Sequence, residues 1–147
     1  MRTGADYRKS LRDGRNVWVM GEGQVEDVTT HPATAAMVDE YVAWYDRHFD
    51  PEWQDLLLTE PDVNGDRHPL ALTPPKTSAD LRRLGKAISA VHFITGGNMT
   101  HTPGYGALIA LGTLNVLTRL NNSQEDIEKA EAYRESLAGT GRFLTFA

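Results

Sequence analysis

The sequence has no cysteine. That excludes disulfides, thiol nucleophiles and cysteine-ligated metals, and it fits a cytoplasmic protein. Basic residues are also short, 15 Lys and Arg against 20 Asp and Glu for a formal net charge of −5. Nucleic acid is therefore not an expected partner, because that binding generally wants a basic face. No apolar run approaches the ~20 residues that cross a bilayer, so no membrane is expected either. The opening MRTGADYRKSLRDGR is too charged for a signal peptide. There is no HExxH, no GxSxG, no phosphate-loop lysine and no strand leading into a GxGxxG. His31, His48, His68, His92 and His101 include no i, i+4 pair, so no metal site is expected. Repeats and low-complexity segments are absent.

What is present is enough for one domain. The chain has 147 residues, 40% of them apolar and 24% charged, long enough to bury a core of its own. It is organised around Gly96 to Leu120, GGNMTHTPGYGALIALGTLNVLTRL. Thr102 can cap a helix there, and Pro103 suits its first position. Leu108, Leu111, Leu114 (or Asn115) and Leu117 then recur at helical spacing, which predicts an almost wholly buried helix. Its start would present His101 and Tyr105.

The rest reads as short elements around that helix. Thr3 to Leu11 reads as a short helix, with Thr3 as its cap, Asp6 three residues on and Gly14 as a stop signal beyond it. Val17–Met20 and Val25–Val28 flank a Gly21-Glu22-Gly23 turn and predict a small hairpin lying against the helices. His31-Pro32 opens a helix to about His48, with Met37, Tyr41, Trp44 and Phe49 (or Tyr45 and His48 on the flank) as its buried stripe. Asp50-Pro51 starts another through Leu58. Residues 59–76, with their prolines and Asn64-Gly65, predict a loop with one tight turn. Thr77 and Asp80 begin a helix striped by Leu81, Leu84, Ile88, Val91 and Ile94 (or Thr95), which Gly96-Gly97 ends. Ser123 caps the last helix, whose apolar side is Ile127, Ala130, Tyr133 (or Arg134) and Leu137, and which Gly139 and Gly141 end. The chain closes on the apolar FLTFA, an ending that suggests a core continued by more chain or by a partner. The expected fold is mainly α with a small hairpin.

On the residues alone His92 is a satisfied structural histidine, and His31 caps or packs at its helix start. His101 is either a turn residue facing solvent or a group that carries a proton at a helix start. Tyr105 is equally compatible with packing.

Several strings carry a resemblance. They are Thr3-Gly4 with Tyr7, Ser10-Leu11-Arg12-Asp13-Gly14-Arg15, Val17 through Gly21-Glu22, and above all Val25-Glu26-Asp27-Val28-Thr29-Thr30-His31-Pro32-Ala33. Tyr45-Asp46 with Asp50-Pro51-Glu52, and Ser78-Ala79-Asp80-Leu81-Arg82, extend it along the chain. The sequence resembles the N-terminal domain of the 4-hydroxyphenylacetate 3-hydroxylase family, the large component of two-component flavin monooxygenases, which is related to 4-hydroxybutyryl-CoA dehydratase. The resemblance implies the helical N-terminal domain of an acyl-CoA-dehydrogenase-like flavoenzyme over 1–147, without the middle β-barrel and C-terminal helix-bundle domains. It also implies reduced FAD supplied by a separate flavin reductase, and hydroxylation of a small aromatic substrate. Which residues bind the cofactor is left open.

In the family's signature an arginine, and a tyrosine four residues later, reach the substrate. Here those positions are His101 and Tyr105, and the family's later leucine-threonine-histidine reads Leu144-Thr145-Phe146. The expected substrate-binding residues are thus His101, Tyr105 and Phe146, with two basic groups lost. Alone, the chain is expected to bind little flavin and turn nothing over. It is either a fragment or split subunit of a phenol monooxygenase with an altered pocket, or a stand-alone, non-catalytic helical module kept for binding or assembly.

Overall fold

The computed structural model describes residues 1–97, 104–120 and 123–144, with only the backbone of 94, 114, 118 and 119. In order they form α1 (Gly4–Ser10), β1 (Val17–Val19), β2 (Gly23–Val25), α2 (Pro32–Arg47), α3 (Pro51–Leu57), a 3₁₀ turn (Leu70–Leu72), α4 (Ser78–Ile94), α5 (Tyr105–Arg119) and α6 (Gln124–Thr140). The fold is mainly α with one two-stranded antiparallel hairpin.

The helix starts follow from their capping residues. Thr3 and Thr77 each accept a hydrogen bond from the amide three residues on, while Asp6 and Asp80 accept from the cap amides in return. Asp50 accepts from the Glu52 amide at 3.1 Å, and Ser123 from the Asp126 amide at 3.2 Å. His31 caps α2 through Nδ1, which accepts from the Ala33 amide at 3.2 Å. Each bond satisfies an amide that the first helical turn would otherwise leave open. Thr77→Ala is expected to cost about 1 kcal/mol, the usual worth of such a cap, read as a lower urea midpoint.

The buried faces differ from the expected stripes. On α2, Val38, Tyr41, Trp44, Tyr45 and His48 are buried, while Met37 and Phe49 are 40% and 46% exposed. The face is turned because α1 packs on it, with Tyr7 5.7 Å from Tyr41 and 5.2 Å from Tyr45, ring centre to ring centre. On α4, Leu84, Ala87 and Val91 are buried and Leu81 is 60% exposed. α5 is not wholly buried: Ala107 and Leu111 are covered, but Val116 is 52% and Leu120 70% exposed. Only the 3₁₀ turn and α6 make extensive contact with it among the described residues. On α6, Leu137 is buried and Tyr133 exposed, and the helix runs through Gly139 to Thr140 before Gly141, at φ 62°, stops it. α1 spans Gly4–Ser10 between the caps Thr3 and Leu11, the bounds expected for it.

The hairpin pairs Val17 with Val25 and Val19 with Gly23, so its second strand lies earlier than the expected 25–28. Glu22 donates its amide to the Val19 carbonyl and closes the turn. Val25 is buried and Val17, Val19 and Gly23 are half-buried, while Trp18 and Gln24 are exposed, so the hairpin has one covered face and one open face. Arg12 ties the chain beyond it to α1 through Asp27 at 3.1 Å and Thr29 at 3.2 Å.

Residues 59–76 are more ordered than their prolines suggest. Thr59 donates its amide to the His68 carbonyl at 2.8 Å, and Gly65 to the Asp62 carbonyl at 3.0 Å. Arg67 braces the turn on the Thr59 carbonyl and Asp55. The 3₁₀ turn that follows is a core element, with Leu70, Ala71 and Leu72 all buried.

Among the described residues two clusters make the core. Trp44, Leu57, Leu70, Leu84, Ala87 and Val91 form one, and Ala71, Leu72, Ala107 and Leu137 the other. Phe143 packs against both. Among the described residues no helix is long and apolar enough to cross a membrane.

Candidate functional site

The site is built where α5 begins. The helix starts at Tyr105 behind Gly104, whose φ of 91° suits a residue without a Cβ. Thr102 and Pro103, the expected cap and first position, lie outside the described residues. A Cβ on Gly104 would sit 3.3 Å from the Ala71 Cβ and 3.6 Å from the Trp44 ring. One residue past Tyr105, a Cβ on Gly106 would lie 2.3 Å from the Leu144 carbonyl oxygen. Gly104 and Gly106 therefore let two other segments press against the first turn of α5.

One of those segments is the tail. At the end of α6, Arg142 donates its amide to the Leu137 carbonyl at 3.0 Å, which turns the chain back over the core. Phe143 then meets Trp44, Tyr45 and His48 at ring-centre distances of 5.2, 5.4 and 5.6 Å. The wall beside Tyr105 is consequently aromatic and apolar, with Trp44 from α2, Ala71 from the 3₁₀ turn, and Phe143 and Leu144 from the tail.

Two polar atoms in this wall lack partners among the described residues. Trp44 Nε1 and His48 Nε2 are both buried without a hydrogen bond. His48 sits 4.5 Å from Trp44, ring edge to face. Its Nδ1 lies 2.9 Å from the Trp44 carbonyl. Since that oxygen only accepts, Nδ1 carries the proton and Nε2 is the bare acceptor. Burial pushes the His48 pKa down from 6.5 to about 4, so the ring is neutral at physiological pH. Burial likewise raises the Tyr45 phenol, against the pull of Arg2, the Phe143 backbone and Arg142.

Of the expected substrate-binding residues, Tyr105 stands half-buried at this mouth. His101 and Phe146 lie outside the described residues. In sequence they are three residues from Gly104 and two from Leu144, the two segments that meet at Gly106. His92 departs from expectation, because its Nε2 is buried without a partner among the described residues. Sequence reasoning missed Trp44, His48, Phe143 and Gly106 as parts of the mouth. The visible signal was the glycine pair around Tyr105, a pattern that marks close backbone approach as well as a helix start. Among the described residues no group of three or more metal-binding side chains occurs.

A sequence model of the family described as 4-hydroxyphenylacetate 3-hydroxylase N terminal matches residues 3–147. A 4-nitrophenol 4-monooxygenase/4-nitrocatechol 2-monooxygenase oxygenase component from Rhodococcus opacus is 47% identical over 105 residues, 70% of this chain and 19% of the relative. The 4-hydroxyphenylacetate 3-monooxygenase oxygenase component of Thermus thermophilus is 38% identical over 105 residues, 71% of this chain and 21% of its own length. An FADH(2)-dependent monooxygenase of Burkholderia cepacia, TftD, is 43% identical over 82 residues, 56% of this chain and 16% of that protein. The crystal structure of a 4-hydroxyphenylacetate 3-monooxygenase oxygenase component complexed with FAD superposes at a TM-score of 0.76 and 27% identity, over 96% of this chain and 29% of that one. The chain thus spans about one fifth of the length of the curated relatives it matches.

Proposed function

Because the chain belongs to the 4-hydroxyphenylacetate 3-hydroxylase family, through that family's N-terminal domain, we propose that it is the N-terminal part of a two-component aromatic monooxygenase. In this reading a separate reductase supplies reduced FAD in the cytoplasm, and the bound flavin provides the oxygen chemistry. The match over residues 3–147 carries the proposal.

The described residues do not fit the flavin by themselves. Around Tyr105 they offer Trp44, Ala71, Phe143 and Leu144, an aromatic and aliphatic wall. A β-barrel and a helix bundle, in more chain or in a partner subunit, would complete the flavin groove. The exposed Val116 and Leu120 of α5 and Phe93 of α4, the last 89% exposed, are apolar surface for that portion to cover.

What this chain contributes is one wall of the substrate pocket. Tyr105 would hold the substrate, with His101 and Phe146 in the positions of the family's arginine and histidine. A phenolate in a dry pocket gains roughly 1.5–3 kcal/mol from each charge-assisted hydrogen bond. A histidine has no bidentate fork and a phenylalanine has no donor, so the pocket suits a neutral, more apolar aromatic substrate. The same two replacements favour the second reading, a non-catalytic module kept for assembly.

Anaerobic titration with reduced FAD separates the readings. The 147-residue chain is expected to bind none alone, and to bind once the C-terminal portion of a relative is added in trans. Tyr105→Phe should then leave flavin binding unchanged and weaken the aromatic substrate. A folded chain that binds flavin in neither mixture would overturn the monooxygenase reading and leave the module.

A further inference from the structure

A second cleft opens where the first residues meet the end of α6, and it shares Phe143 and Leu144 with the wall beside Tyr105. The Arg2 backbone and the stem of its side chain pass within 2.8 and 3.4 Å of where a Cβ on Gly141 would stand, next to Arg142. Between α1, α2 and the end of α6 this junction encloses about 520 Å³, lined by Arg2, Arg15, Arg142, Tyr45 and Tyr133 among others. That volume is in the range of small-molecule sites.

The charges in the cleft do not balance. Arg15 is spent on Asp13, its Nε and a terminal nitrogen both 2.8 Å from the carboxylate oxygens. Arg2 and Arg142 are in no ion pair among the described residues. Both guanidinium groups are close enough to the buried Tyr45 phenol to act on it. In a chain whose net charge is −5, two cations outside any ion pair line this cleft beside an aromatic ring, with Arg2 hydrogen-bonded to the Tyr45 phenol and near enough to Asp6 to lower its pKa. Tyr133 is 55% exposed there, a flat apolar face with nothing stacked on it among the described residues.

We propose that this cleft binds a small organic phosphate, its dianion held between Arg2 and Arg142 and its apolar part laid against Tyr133. Two guanidinium groups outside any ion pair match a phosphomonoester, which carries close to two negative charges near neutral pH, better than a carboxylate, which carries one. Arginine forks match phosphate oxygens in geometry as well as charge. The groups that would hold the ligand, Arg2, Arg142 and Tyr133, have no part in the flavin reading, although Phe143 and Leu144 line both places.

The probe is phenyl phosphate, titrated into the 147-residue chain and followed by NMR, with benzoate and inorganic phosphate alongside. Saturable binding at least tenfold tighter than either comparison compound is expected, with ring resonances of Tyr133 shifting. Arg142→Gln should weaken it at least tenfold while the backbone spectrum stays folded. Arg2→Gln should do the same, and Tyr133→Ala should bring phenyl phosphate down to the level of inorganic phosphate. Equal binding of benzoate, equal binding of inorganic phosphate, or full affinity in folded Arg142→Gln would each overturn the proposal. Flavin binding in the presence of added C-terminal portion should be unchanged in Arg142→Gln, which keeps this test apart from the previous one.

Discussion

Acidification through the range between pH 6.5 and about 4 is expected to remove about 3 kcal/mol of stability through His48 alone. The folded pKa lies below the unfolded value, so the unfolded chain binds the extra proton as the pH falls. Stability is fully present above about pH 6.5, declines through the interval, and loses no more to this group below about pH 4. The cause is burial, since His48 is only 2% exposed and packed between Trp44 and Phe143. An imidazolium there would trade bulk water for apolar rings. His48→Phe keeps a ring of similar shape, gives up the bond to the Trp44 carbonyl, and removes the unpaired Nε2. Urea midpoints at pH 7 and pH 4 should therefore converge in the variant far more than in the wild type. Asp6, Asp13, Asp27, Asp62 and Asp80 also have lowered pKa values, but they titrate alike in both proteins. An equal acid sensitivity in the two would dismiss His48 as the source.

The second large effect belongs to a missing methyl group. Gly106→Ala places a Cβ 2.3 Å from the Leu144 carbonyl oxygen and 2.6 Å from the Leu144 Cβ. The first of these is backbone, which cannot swing aside, so the tail must lift. Phe143 would then leave Trp44, Tyr45 and His48. An overpacking cost of about 1–3 kcal/mol is expected. Gly112→Ala, in the same helix with nothing within 4 Å of its new Cβ, should instead gain about 0.5–1 kcal/mol from helix propensity. Thermal unfolding of the pair should therefore move in opposite directions. Near-ultraviolet circular dichroism should change only for Gly106→Ala, because only there do the aromatic contacts open. Parallel shifts in the two variants would mean that the tail does not bear on α5.

Much of the architecture was legible, and the reason is local. Caps at Thr3, Asp50, Thr77 and Ser123 act within three residues, and sequence shows such patterns directly. The family strings, spread from Thr3 to Arg82, gave the fold class and the kind of relative. The faces of the helices were less legible, because a stripe of apolar residues does not say which edge a neighbour will cover. Met37 and Val38 are adjacent and both apolar, and only the arrival of Tyr7 decides between them. α5 looked buried because it is apolar all round, yet packing is supplied on one side only. The 3₁₀ turn at Leu70–Leu72 hid among prolines, where composition argues for a loop. At the site, Tyr105 could be named because a signature spacing pointed to it. The long-range meeting of Gly106 with Leu144 leaves no periodic trace.

Phe143 gives the fold a property that neither core cluster has alone. It touches the cluster around Trp44 and Leu57 and the cluster around Leu72 and Ala107, and it sits on the strand of chain between the last helix and Leu144. Loosening either half withdraws support from the same ring. The two halves therefore form one cooperative unit rather than separately melting layers. Arg142 to Leu144, the described residues that follow the last helix and its Gly141 cap, close that unit.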